Sequence, residues 1–312
     1  MTQEERNALQ RWAEHHKALA ADVPVEDWLS QSEIDKKRKK LEEDPIKWIK
    51  YFFPKYAKYE FAPFHVRAIK RVIEHDEWYE VLSWSRELAK STVAMFICMY
   101  LALTKRKRFF VLASATIDSA KRLLAPYKIN FESNPRIRQF YGSQVTLGQW
   151  TDGEFTAKCG AKFVALGAGS APRGARNEEV RPDVIYMDDY DTDEDCRNPE
   201  TLKKKWDWFE ASLYPTRSIS EPTLILWCGN IIAKDCCIKR AGAKARHWDI
   251  VNIRDKDGHS TWPAKNTEEQ IDTVLSNIST KSAQAEYFNN PVSEGTIFKT
   301  LPFGKVPPLK KF

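Results

Sequence analysis

From residue 80 onward short apolar strands alternate with helical stretches, and this alternation constrains the fold more than any other feature of the chain. Residues 80–84 predict a strand, followed by a polar turn and an apolar helix over residues 90–103. Residues 109–113 (Phe-Phe-Val-Leu-Ala) predict a buried strand, with a helix over residues 117–131 behind it. Residues 149–167 read as a hairpin or meander around Asp152-Gly153 and Cys159-Gly160. Strands over residues 184–187, 223–228 and 247–253 follow, with a helix over residues 199–213 between the first two. Strands separated by helices imply βαβ units, hence an α/β fold with a mostly parallel central sheet and helices on both faces.

The flanks differ in pattern. Leu9, Trp12, His16 and Leu19 recur at helical spacing, and the basic run Lys36-Lys37-Arg38-Lys39-Lys40 precedes a break at Asp44-Pro45, so residues 1–60 read as a helical N-terminal extension. Thr267-Glu268-Glu269-Gln270 has the chemistry of a helix start, and Ile271, Val274, Leu275 and Ile278 mark the apolar face that follows. After Pro291 the chain turns rich in Pro, Gly and Lys, which reads as a linker. The expected division is therefore an extension over 1–60, a core over 61–258, a smaller helical subdomain over 259–298 and a linker over 299–312. No internal repeat is present.

Composition narrows the class. Hydrophobic residues make up 42% of the 312, enough for a real core, yet no apolar run approaches the roughly 18 residues of a membrane span. The polar, acidic start Met1-Thr2-Gln3-Glu4-Glu5-Arg6 lacks a signal-peptide pattern. Six cysteines at 98, 159, 196, 228, 236 and 237 form no C-x-x-C pair and read as reduced core thiols. A net charge of +6 permits contact with nucleic acid without requiring it.

The chemistry concentrates in two places. In Ser85-Arg86-Glu87-Leu88-Ala89-Lys90-Ser91-Thr92 a strand and a tight polar turn lead into Lys-Ser-Thr at a helix start. That is the layout of a phosphate cradle: helix N–H groups face the anion, the Lys charge reaches the β/γ-phosphates, and the Ser hydroxyl ligates Mg²⁺. Trp84 and Ala89 stand where the usual G-x-x-x-x-G-K-[ST] pattern has glycine, and Trp84 is the one tryptophan expected near a nucleotide. The second place is Asp183-Val184-Ile185-Tyr186-Met187-Asp188-Asp189, an apolar strand ending in two carboxylates. One Asp there can join the Mg²⁺ shell and its neighbour can polarise an attacking water. Open α/β sheets bind ligands at the carboxyl edge of their strands, where both segments end.

With these residues in place the chain resembles the ATPase portion of the large terminase subunits of tailed bacteriophages, motors of the P-loop NTPase, helicase-like fold that package DNA into capsids. Residues 85–92 resemble the variant Walker A motif of that family, with its early Arg. Arg173-Gly174 and then residues 181–189 are similar to the R-G segment leading into Walker B. Leu226-Trp227-Cys228-Gly229-Asn230 sits where the family has its coupling motif, and Trp262-Pro263 with Glu286-Tyr287-Phe288-Asn289-Asn290-Pro291 resembles the segment that closes the ATPase portion.

The resemblance implies an Mg²⁺-dependent ATPase that translocates double-stranded DNA into a procapsid, with ATP and Mg²⁺ as cofactors. It implies a homo-oligomeric ring, partnered by the portal protein and the small terminase subunit in the host cytoplasm, with no membrane involvement. Lys90 would bind the β/γ-phosphates, Ser91 and Asp188 would hold Mg²⁺, and Arg86 would contact the γ-phosphate. Phe64 or His65 would recognise adenine. Arg173 would be an arginine finger acting across a subunit boundary, with Arg176 in reserve. Cys228, Gly229 and Asn230 would couple hydrolysis to motion. The family usually has Glu after the Mg²⁺ Asp or two residues later; here both positions are Asp, so Asp189 is the expected water activator and Asp191 the alternative. The nuclease domain of full-length large terminases has no counterpart in these residues, so no DNA cleavage is expected. Two other readings stay open on sequence: a helicase-like nucleic-acid-remodelling ATPase, and a weakly active nucleotide-binding scaffold. Residues 36–40, 105–108 and 203–205 are the basic stretches that could touch DNA.

Overall fold

A computed structural model describes residues 24–172 and 180–292. The expected helix around Leu9–Leu19, the two arginines Arg173 and Arg176, and the 299–312 linker lie outside the described residues.

The described residues open with three helices, α1 (Gln31–Glu42), α2 (Pro45–Phe52) and α3 (Pro63–Glu74). Ser30 and Glu33 form a reciprocal capping box that starts α1. The break predicted at Asp44-Pro45 is a helix start: the Asp44 carboxylate accepts from the Ile46 and Lys47 N–H groups at 3.1 and 3.2 Å, and Pro45 sits in the first turn, where its missing N–H costs nothing. Then come β1 (Trp78–Trp84), α4 (Lys90–Leu103), β2 (Phe109–Ser114), α5 (Ile117–Ser133) and α6 (Pro135–Tyr141). The short β3 (Glu154–Thr156) and β4 (Lys162–Gly167) pair antiparallel, as the hairpin reading expected. After β5 (Val184–Asp188) follow α7 (Asp193–Arg197) and α8 (Pro199–Trp208), β6 (Leu224–Cys228), α9 (Cys237–Lys244), β7 (His247–Val251), α10 (Glu268–Ser276) and α11 (Thr280–Phe288). The helix expected over 199–213 changes character at Phe209, where a π turn continues it to Leu213. Among the described residues no helix is long and apolar enough to cross a membrane.

The seven strands form one sheet in the order β3-β4-β2-β5-β6-β1-β7, parallel throughout except at β3. The period-2 alternation of β5 divides the core: Val184 and Tyr186 pack on one face, Ile185 and Met187 on the other. On the first face lies α4, buried continuously from Val93 to Leu103 because its sequence has no polar side. Each fully buried Leu- or Phe-sized side chain there contributes about 1.5–3 kcal/mol. Helices α8 and α9 cover the second face through Leu202, Trp206, Ile238 and Ala241. The result is the α/β sheet with helices on both faces that the alternation predicts.

Candidate active site

The site is built at the carboxyl ends of β1, β5 and β6. Trp84 is still part of β1: it is fully buried, packs edge-on against Phe64 with ring centroids 4.8 Å apart, and donates its indole N–H to Asp249 Oδ2 at 3.2 Å. This corrects the expectation that it lies beside a nucleotide, since burial against the Phe64 ring takes the indole instead. The turn begins one residue later and is held from several sides. Ser85 N–H donates to the Val251 carbonyl at 2.9 Å and Arg86 N–H to that of Glu286 at 3.0 Å. The Glu87 carbonyl accepts from Lys265 Nζ at 3.0 Å.

Glu87 and Ala89 adopt left-handed backbone, with φ of 69° and 59°. Ala89 occupies the place of the second missing glycine in the conformation that a glycine would serve, at a cost of roughly 1–2 kcal/mol for a residue with a Cβ. No side chain caps the N-terminus of α4. Its first-turn N–H groups, on Lys90, Ser91 and Thr92, therefore lack intrahelical acceptors and line a cleft of about 650 Å³. Such a turn could cradle an anion, and it is built without glycine.

Phe64 and His65 do not reach the cleft; both are buried under the turn. The Ala62 N–H donates to His65 Nδ1 at 3.0 Å, so Nε2 carries the proton and donates to the Leu88 carbonyl at 2.9 Å. Burial pushes the imidazole down to about 4, which keeps it neutral in this role. The adenine assignment is thereby corrected: these two residues brace the cradle from below. Leu88 too is fully buried, so it contributes its carbonyl and not its side chain.

Asp188 ends β5 inside the protein. Its Oδ2 accepts from the Tyr186 hydroxyl at 2.8 Å, whereas Oδ1 is buried with no hydrogen-bond partner. Burial, and then the adjacent Asp189 charge, push its carboxyl up to about 6, against the pull of the Lys90 ammonium and the Ser91 and Tyr186 hydroxyls. An orphaned carboxylate oxygen beside a helix-start serine is an incomplete ligand set, and Mg²⁺ fits it. That ion takes one or two protein carboxylates and fills its other positions with waters and phosphates. Among the described residues no three His, Cys, Asp or Glu side chains cluster as a metal cage.

Asp189 is exposed on the cleft wall, with left-handed backbone at φ 40° and its N–H on the Cys228 carbonyl at 3.2 Å. Asp191 is engaged elsewhere. Its two oxygens accept from the Cys237 and Ile238 N–H groups at 2.8 and 2.9 Å, so it caps α9 and is set aside as a water activator.

The 228–230 segment reaches the cleft as expected. Cys228 Sγ points at the Lys90 carbonyl at 3.9 Å, Gly229 N–H donates to the Leu82 carbonyl at 3.3 Å, and Asn230 Oδ1 accepts from Lys90 Nζ at 2.9 Å. Asn230 Nδ2 continues to the Glu286 carbonyl at 2.7 Å, and the Glu286 carboxylate pairs with Arg86. Glu286, with Lys265, is a cleft residue that sequence reasoning missed. It lies 200 positions from its partner, and no spacing rule joins the two. Beside the cleft, sharing Glu87 and Lys265 with it, is a second cavity of about 370 Å³ walled by Tyr59, Ile271, Val274 and Tyr287.

An open, mostly parallel α/β sheet with an uncapped helix start and paired carboxylates at its carboxyl edge is the class that the geometry defines. Among solved structures, the HK97 bacteriophage large terminase matches with a TM-score of 0.53 at 12% identity, covering 80% of this chain and 55% of that one. The chain thus shares the fold of that protein while spanning about half its length. The Thermus phage P74-26 large terminase ATPase domain also matches, at a TM-score of 0.45 and 14% identity over 72% of this chain and 93% of that one. No family model matches the sequence, and no curated protein matches it.

Proposed function

We propose that the chain is an Mg²⁺-dependent ATPase of the large-terminase kind, whose hydrolysis drives double-stranded DNA into a procapsid. The observation that carries this reading is the orphaned Asp188 oxygen, buried at the same sheet edge as Lys90 and Ser91. A triphosphate lying along the cradle would meet the Lys90–Thr92 N–H groups and the Lys90 ammonium. Ser91 and Asp188 would hold Mg²⁺, which neutralises charge on the β/γ-phosphates when bound. Asp189 would orient the attacking water and accept its proton. Arg86 and Lys90, now held by Glu286 and Asn230, would exchange those partners for phosphate oxygens, which makes the Asn230–Glu286 bridge the coupling element. The apolar cavity between Tyr59 and Tyr287 is the site for the base in place of Phe64 and His65, because it adjoins the cradle and has the size and aromatic walls that a purine needs. A homo-oligomeric ring on a portal, aided by a small subunit in the host cytoplasm, completes the reading, with Arg173 acting in trans.

Phosphate release with Mg²⁺, measured with and without linear duplex DNA, tests it. Turnover should depend on Mg²⁺ and rise with DNA, and Asp188→Asn should lower it at least 10²-fold. An Asp188→Asn variant that keeps parental Mg²⁺-dependent turnover overturns the assignment of the site.

A further inference from the structure

Two of the basic stretches meet at the edge of the sheet opposite the cleft. Lys105 precedes β2 and Lys158 precedes β4, so both stand at amino-terminal strand ends, while the cradle stands at carboxyl ends. The same helix, α4, starts at the cradle and ends next to Lys105, about 21 Å away at 1.5 Å per residue. Here Arg38, Glu42, Lys105, Tyr141, Gln144 and Lys158 line a cavity of about 330 Å³, drawn from four separate segments of chain.

The walls are fixed. Gln144 accepts from the Cys159 N–H at 3.0 Å and donates to the Tyr141 carbonyl at 2.8 Å. Arg38 is tied to the Phe140 carbonyl at 3.0 Å. The single carboxylate, Glu42, accepts from the Tyr141 hydroxyl at 2.8 Å and pairs with Arg38 at 3.9 Å, so these two charges offset each other. Lys105 and Lys158 are exposed and make no ion pair with another described residue, so the cavity carries surplus positive charge. Lys105 also closes α4 in the left-handed conformation, φ 59°, which glycine would adopt without strain. Along α1, the exposed Lys39, about 60° round the helix from Glu42, likewise makes no ion pair with another described residue and extends the charge beyond the cavity. In the third basic stretch Lys203 pairs with Asp207 on the surface and Lys205 is buried against Asp195 at 2.6 Å, which leaves Lys204 as its one exposed lysine without an ion pair to another described residue.

We propose that this cavity and its flanking lysines bind phosphates of a duplex DNA backbone, at a surface separate from the nucleotide cleft. The partner is duplex DNA because the surplus charge of Lys105 and Lys158 stands in an open cavity several times the size of one phosphate, with Lys39 beside it, as a polyanion needs and a single small anion does not. The inference rests on the reading of the chain as a DNA-moving ATPase. Binding of a labelled 30-base-pair duplex, followed by fluorescence anisotropy across a salt series, tests it. The variant pairs Lys105→Gly, which removes a cation and relieves the left-handed backbone, with Lys158→Ser. Affinity should fall at least tenfold, and the slope of log affinity against log salt should shrink by about 2, near 0.9 for each phosphate that the parent neutralises and the variant does not. The thermal midpoint should be no lower than the parent's. A parent that binds the duplex and a variant that matches it in affinity and slope overturn the inference alone, and would return this face to an acidic protein partner. A parent that binds no duplex overturns the DNA-moving reading together with it, and the parent's own titration tells the two failures apart.

Discussion

Adjacent aspartates at the end of β5 meet different surroundings, because one is inside the protein and the other is not. Asp188 is almost fully enclosed, with its carboxyl pushed up to about 6, whereas Asp189 faces the cleft. A raised carboxyl disfavours the charged form, so the cation-free fold gains stability from this group as pH falls through 6. A divalent cation needs the deprotonated form, so its apparent affinity should drop about tenfold per pH unit below 6. Mg²⁺ titrations of turnover at pH 5 and pH 7 check this, and equal affinities would contradict it. Asp189→Asn should abolish turnover while nucleotide still binds, whereas Asp191→Asn should keep turnover and lose about 1 kcal/mol of stability through the α9 cap. Normal turnover in Asp189→Asn would remove it as the water activator. At this scale the sequence exposes what is local. Lys90, Ser91 and Asp188 stand in short patterns with their own mechanism, but Lys265 carries no local mark, and Glu286, although it opens a segment singled out by resemblance, shows nothing locally of its place in the cleft.

Elements were more legible than the packing between them. The strands are short apolar runs bounded by turn residues, and α4 is an unbroken apolar helix, so their place in a parallel sheet follows from patterning alone. Phe61-Ala62-Pro63-Phe64-His65 fits an aromatic platform and a buried helix start equally well at the level of residue types. Packing against Trp84 and Trp262 decides for burial. The brace it forms has a measurable consequence. His65→Ala leaves the Leu88 carbonyl and the Ala62 N–H without their partner, a cost of about 1–3 kcal/mol. The loosened turn should also raise the KM for ATP more than it lowers kcat. The depressed imidazole gives a second handle. The unfolded chain takes up a proton near pH 6.5 while the folded state resists until about 4, so stability falls across that window as pH drops. Urea unfolding at pH 7 and pH 4.5 should show a smaller drop in His65→Ala than in the parent; an equal drop would remove the brace argument.

On the scale of the molecule, the order of strands matters more than their number. β1, which leads into the cradle, pairs only with β6 and β7, both from the last third of the described chain. Asn289 then ties the ends of these strands together, donating to the Ser83 carbonyl at 2.9 Å and accepting from the Ile231 N–H at 3.0 Å. A fragment ending at Pro222 would leave β1 with no neighbour on either side. It should bind no nucleotide and show no cooperative thermal transition, whereas the chain through Val292 should show both. A chain still leaving the ribosome therefore carries its lysine, serine and aspartates in an unfinished state until residues 224–292 have emerged. The cleft would then close in one step, and shorter nascent chains would consume no fuel.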